Sequence, residues 1–176
     1  MVHFGLFCPP GSGHLNPMTT LGRELQQRGH RVTLINSLDT QINADSAGIE
    51  FYLIGHAEFP LGSTQQTQSE LGKLDGLVAV KYTLDLLQSG AATVLREAPA
   101  VVEQLQIEAL VVDQVSPEAG SIAEALGLPF ISVCNALMLN QEPPIPPIFT
   151  DWDYDPAWWA QLRNQAVHFG LAIAPH

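Results

Sequence analysis

Basic residues are scarce in this chain: seven Lys and Arg stand against eighteen Asp and Glu, a formal charge of −11. Nucleic acid and anionic lipid surfaces are held by lysine- and arginine-rich patches, so neither is expected as a partner. Cysteine is nearly absent. Cys8 and Cys134 are too few for a disulfide framework, and neither stands in a Cys/His cluster with zinc-ligand spacing. Each ends an expected central strand and reads as a small buried hydrophobe. Hydrophobic residues make up 46% of the 176 positions, enough for one substantial core. Yet no apolar run approaches the roughly 18 residues of a membrane span. No basic start leads into an apolar signal core either. A soluble, cytoplasmic protein with no integral membrane segment is expected.

What is present is an alternation of apolar runs with helical patterns, the mark of a parallel sheet. Strands are expected at His3–Cys8, Arg31–Asn36, Ile49–Ile54, Ala109–Val112 and Pro129–Cys134. The fold class is α/β, a Rossmann-like doubly wound parallel sheet with strand order 3-2-1-4-5. The stretch from Gly62 to Lys73, rich in Gln, Ser and Thr, reads as a surface loop. A helical region from about Leu77 to Leu105 is expected to break or bend at Pro99. Ser116-Pro117 is a cap followed by proline, and opens a helix that Gly127 ends. The run Glu142-Pro143-Pro144-Ile145-Pro146-Pro147 should be extended, and an amphipathic helix follows from about Ala157 to Leu171. Two segments result: a domain over 1–140, and a proline-rich segment with a C-terminal helix over 141–176. The chain ends at His176 with no sixth strand.

The turn after the first strand, Cys8-Pro9-Pro10-Gly11-Ser12-Gly13-His14-Leu15-Asn16-Pro17, carries the most pointed signal. Asn16-Pro17 reads as a helix start, with Met18, Leu21, Gly22 and Leu25 on one helical face and Gly29 as the stop. That places His14 between a strand's carboxyl end and a helix's amino end, where open α/β sheets bind ligands. Asp113 ends strand four, and strands one and four are neighbours at the switch point. An imidazole oriented by a carboxylate is a general base: the Asp fixes the tautomer and stabilises the imidazolium. The plainer alternative is that His14 fills a turn and Asp113 caps the next helix. Gly13, Ser12, Gln114, Asn135 and His56 are the further candidates to line the crevice, and Glu118 lies just beyond Asp113. The glycines form neither a dinucleotide fingerprint nor a P-loop; a tight turn accounts for them. His30 reads as a surface turn residue, and Trp158 and Trp159 as packing residues.

Phe4-Gly5-Leu6-Phe7-Cys8-Pro9-Pro10, Gly13-His14-Leu15-Asn16-Pro17 and Arg28-Gly29-His30-Arg31-Val32-Thr33 together resemble the amino-terminal domain of UDP-glycosyltransferases. The likeness is greatest to the bacterial macrolide and zeaxanthin type, which has the two-domain GT-B fold. Leu110-Val111-Val112-Asp113-Gln114 and Ala123-Glu124-Ala125-Leu126-Gly127-Leu128-Pro129-Phe130 agree with it. The resemblance implies that His14 is the base on an acceptor hydroxyl and that Asp113 orients it. Transfer would invert the sugar and need no metal. No cofactor would be bound tightly; a UDP-sugar would be co-substrate through a second domain, to which nothing in Asn135–His176 is similar. The expected partner is an apolar hydroxylated small molecule, with a homodimer or a separate donor-binding subunit completing the picture. Leu137, Met138, Ile145, Ile148 and Trp152 are expected as exposed apolar residues. The rival is a catalytically silent small-molecule-binding or interaction module. A hydrolase using Ser12 or Ser116 has little support, since neither serine sits in a Gly-x-Ser-x-Gly elbow.

Overall fold

A computed structural model describes residues 1–135, 142–147 and 150–172. The chain forms two compact units, Met1–Ala136 and Leu137–His176. The first is a five-stranded parallel sheet: β1 (His3–Phe7), β2 (Arg31–Asn36), β3 (Glu50–Leu53), β4 (Ala109–Asp113) and β5 (Phe130–Val133), in the order β3-β2-β1-β4-β5. Its helices are α1 (Ser12–Gln27), α2 (Gln41–Ala47), α3 (Ser63–Leu71), α4 (Gly76–Gln104) and α5 (Pro117–Leu126).

The central strands are apolar on both faces because helices cover both. Leu6, Val32, Leu34 and Val111 meet Leu15 and Met18 of α1 and Ala44 of α2 on one face. Phe7, Ile35, Leu110 and Val112 meet Ala98 and Val102 of α4 and Ala119 and Ile122 of α5 on the other. Adjacent residues of one strand thus feed opposite cores, as the two-residue period requires. Gly5 sits where β1 is most crowded: a Cβ there would come within 2.9 Å of both Ile107 Cδ1 and Leu110 Cδ2.

Several expectations need correction. α1 begins at Ser12, about one turn before Asn16, and Pro17 lies inside it. The apolar face already starts at Leu15, which is buried with Met18, Thr19 and Gly22. A proline this close to the amino end forfeits a single ladder bond, a small loss beside that burial. Gly11 is extended, with φ −74°; the chain turns sharply after it, the His14 amide donating to the Gly11 carbonyl at 3.0 Å, but neither Gly11 nor Gly13 has the positive φ that would demand glycine. Residues 63–71 are helical, not loop. The Asp39 carboxylate accepts hydrogen bonds from the Gly62 and Thr64 amides at 2.6 and 2.8 Å, capping α3 from far along the chain. α4 runs unbroken through Pro99. Cys134 is exposed, since β5 is an edge strand with Ile131 65% exposed; Cys8 is buried.

In the second unit, residues 142–145 turn: the Ile145 amide donates to the Glu142 carbonyl at 3.0 Å, so the proline run is not extended throughout. Helix α6 spans Trp158–Ala172. Trp158 and Trp159 are 73% and 51% exposed, which leaves them little packing role. The Arg163 guanidinium stacks over Trp152 at 3.9 Å from the ring centre. Ile145 is exposed and Trp152 half-buried. Leu137, Met138 and Ile148 lie outside the described residues.

Candidate functional site

The sheet order reverses between β1 and β4, so the chains leaving these strands turn to opposite faces and open a crevice at their carboxyl ends. α1 follows β1 and α5 follows β4 across that gap. His14, third residue of α1, projects toward the end of β4. Its Nδ1 stands 2.7 Å from Asp113 Oδ2, between residues 99 positions apart. The Asp113 side chain is wholly buried and that of His14 is 25% exposed. A carboxylate can only accept, so Nδ1 carries the hydrogen, and in the neutral ring Nε2 keeps its lone pair. Nε2 has no hydrogen-bond partner among the described residues.

Asp113 is held by more than His14. The Val115 amide donates to Oδ1 at 3.0 Å, and Asn135 Nδ2 donates to Oδ2 at 2.7 Å. Three donors therefore surround one buried carboxylate, which is how a dry site keeps an anion. Cys8, at the end of β1, is a bystander: burial and the nearby Asp113 charge push its thiol up to about 12, so it stays protonated. The Cys8 carbonyl is engaged by Asn36 Nδ2 at 2.7 Å, and Asn36 Oδ1 accepts from the Ser37 amide.

Beside this pair lies an apolar cavity of about 300 Å³. Its floor is the carboxyl edge of the sheet, at Phe7, Ile35 and Ile54. Its roof is α3 and α4, through Thr67, Leu86, Leu87, Gly90 and Val94. Pro9, Pro10 and Gly11 form the rim nearest His14, and a Cβ on Gly11 would come within 3.8 Å of His14 Cδ2. His14 and Asp113 are not themselves among the residues that line this cavity; the contact with it runs through Gly11 and Val115, their near neighbours in the chain. Glu118, at the start of α5, also lines the cavity, and burial raises its carboxyl above the usual range.

Of the expected site residues, the structure joins His14, Asp113 and Asn135. Gln114 borders a smaller cleft of about 230 Å³ with Val112, Pro117 and Phe130. Ser12 and Gly13 are exposed on the first turn of α1 and are not among the residues lining either cavity. His56 is exposed beyond the end of β3 and lines neither cavity; Ile54 and Phe59 take the positions that face inward. Sequence reasoning missed the roof. A glycine in the middle of an otherwise good helix, Gly90, was the signal available. Among the described residues no His, Cys, Asp and Glu cluster could hold a metal ion, and no helix is long and apolar enough to cross a membrane.

A doubly wound sheet with a His–Asp pair at its switch point defines a Rossmann-like α/β domain. No family model matches the sequence. A zeaxanthin glucosyltransferase of Pantoea ananas is 34% identical over 166 residues, 94% of this chain and 38% of the relative. One from Pseudescherichia vulneris is 33% identical over 147 residues, 83% of this chain and 34% of the relative. The crystal structure of the glycotransferase of kitacinnamycin superimposes with a TM-score of 0.55 at 25% identity, covering 74% of this chain and 29% of that one. The chain is thus similar in sequence to part of these glycosyltransferases and shares their Rossmann-like fold over that part. It spans somewhat over a third of the length of the curated relatives it matches.

Proposed function

We propose that the chain is the acceptor-binding half of an inverting glycosyltransferase, with the cavity as the acceptor site and His14 as the base. One observation carries the reading: a His14–Asp113 hydrogen bond of 2.7 Å beside the mouth of an apolar cavity. The relatives are named for transfer of glucose to zeaxanthin, an apolar molecule with terminal hydroxyls. A cavity of about 300 Å³ is at the small end of ligand sites, and fits one ring and a short stretch of chain with the hydroxyl at the rim. There Nε2 takes the hydroxyl proton. The acceptor oxygen forms its bond to the anomeric carbon from the side opposite the leaving nucleotide, which departs with the electrons of the broken bond. Asp113 balances the imidazolium that results. The sugar nucleotide is held by a donor-binding half, on the same polypeptide or a separate subunit. Kinship with transferases favours this reading over a silent binding module.

The test joins this chain to the donor-binding half of one of the zeaxanthin glucosyltransferases and follows transfer from UDP-glucose to zeaxanthin. His14→Ala is expected to lower kcat by about 10²–10⁴-fold and to leave acceptor binding near its starting value. A variant as active as the parent fusion removes His14 from the chemistry.

A further inference from the structure

We propose that Asn135 is a positioning residue: it clamps the Asp113 carboxylate so that His14 is held with its proton on Nδ1 and its lone pair on Nε2. The proposal rests on the reading of His14 as base and adds what keeps that base in its working form.

Asp113 is tethered at each oxygen separately. Oδ1 receives the Val115 amide at 3.0 Å, a bond made by the chain just beyond β4. Oδ2 receives His14 at 2.7 Å and Asn135 at 2.7 Å. With Oδ1 alone held, the carboxylate still turns about its Cβ–Cγ bond, because such a torsion has a broad, shallow profile. His14 cannot serve as the second tether for the group that is meant to orient it, and its partly exposed ring can turn to water instead. Asn135 can. It follows the edge strand β5, whose Val133 is in register with Asp113, so its side chain reaches back to the neighbouring strand's end. Facing a carboxylate, its amide must present the NH₂ end.

The consequence concerns the tautomer. With Oδ2 pinned, Nδ1–H has a fixed acceptor and the neutral ring keeps Nε2 free. With Oδ2 released, the same ring gains as much by placing its hydrogen on Nε2, which is the form that cannot act as base at the rim. The shared oxygen also matters once His14 is charged. Asn135 keeps stabilising the carboxylate, so the proton stays on the ring instead of passing to Asp113.

Imidazole nitrogen resonances of the isotope-labelled chain at pH about 9, where imidazoles are neutral, report the two tautomers directly. The parent is expected to show His14 almost wholly as Nδ1–H. Asn135→Leu keeps the volume and removes the donor; a hydrogen bond to a charged group corresponds to roughly ten- to hundredfold in population, so the Nε2–H fraction should rise about tenfold or more. Asn135→Ala reads the same loss if leucine does not fit, and a merely structural tie between β5 and β4 would change the melting temperature without moving the tautomer. Asp113→Asn is the companion variant. Its amide must turn its oxygen to the Val115 N–H, which points its NH₂ at His14 Nδ1 and forces Nε2–H. If Asp113→Asn switches the tautomer and the Asn135 variants do not, the role given to Asn135 is overturned while the His14–Asp113 pair stands. If Asp113→Asn leaves the tautomer alone, the pair itself falls, and Asn135 with it.

Discussion

Gly90 offers the sharpest test of whether the cavity is a binding site. It lies near the centre of the 29-residue helix α4 and lines the cavity. Glycine there costs about 0.5–1 kcal/mol relative to alanine, so a structural reason for it should be visible. At Gly22 one is: a Cβ would meet Leu6 Cδ1 at 3.0 Å. At Gly90 no heavy atom lies within 4 Å of the place a Cβ would occupy. A side chain added at Gly90 would enter open space at a position that lines the cavity, with no packing to disturb. Gly90→Ala should therefore stabilise the chain by about 0.5–1 kcal/mol, a rise of roughly 1–4 °C in Tm for a chain of this size. Gly90→Phe should fold as well as the parent and place a ring inside the cavity. Titration with an apolar naphthylamine dye, read by fluorescence, should then show affinity reduced tenfold or more, a loss of about 1.4 kcal/mol. Unchanged dye binding in a folded Gly90→Phe protein would refute the claim that this cavity takes the ligand. A destabilised Gly90→Ala would mean that α4 is packed at Gly90 after all.

Two further outcomes follow from charged groups at the cavity and its roof. Burial raises the Glu118 carboxyl, with the Ser116 hydroxyl and its own backbone amide pulling partly back. A raised acid penalises the folded state once it ionises, so stability is lost as pH climbs through its folded value and is untouched below the ordinary carboxyl range. Glu118→Gln should thus be more stable than the parent at pH about 8, with the advantage gone by pH about 4; urea melts at both values check it, and a gap that does not change with pH contradicts it. Asp39→Ala should cost about 0.5–2 kcal/mol by removing the cap of α3, and hydrogen exchange should quicken in residues 63–71 before anywhere else in the sheet domain.

The sheet and the reactive pair were legible because their signals are local. β1, β2 and β4 are short apolar runs between helical patterns, and chain order together with handedness leaves few ways to arrange them. His14 and Asp113 could be paired because His14 follows β1, Asp113 ends β4, and the two strands are neighbours. What escaped depends on distant partners. Residues 63–71 lack an apolar face, and their helix is capped by Asp39, some two dozen positions upstream. α1 starts early because Leu15 and Met18 find Leu6 and Val32 beneath them, which outweighs the Asn16-Pro17 start signal. Cys134 is exposed because its strand is the sheet's edge, which the expected order 3-2-1-4-5 already implied and the reading of it as a central strand overlooked. Asn135 was placed near the crevice, yet its bond to Asp113 depends on the β4–β5 register, which no pattern within either strand reveals.

On the proposed function, catalytic and selective parts of this domain sit on different elements, and the two cores explain why that division is workable. His14, Asp113 and Asn135 come from the first turn of α1 and the ends of β4 and β5, where β1 is hemmed in by Ile107 and Leu110 and α1 lies tight against Leu6 and Val32. Those contacts leave little room for the pair to drift, as a base needing sub-ångström placement requires. The cavity roof comes from Phe59 through Val94, a stretch that sends few side chains into the core: Thr93 is the sole fully buried residue among 56–97. Changes of side-chain size along that stretch alter what the cavity holds without touching the packing that fixes His14 against Asp113. On the proposed function, then, acceptor preference and proton transfer are separable: substitutions at Leu86, Leu87 or Gly90 act on acceptor affinity, and substitutions at His14, Asp113 or Asn135 act on the rate of transfer.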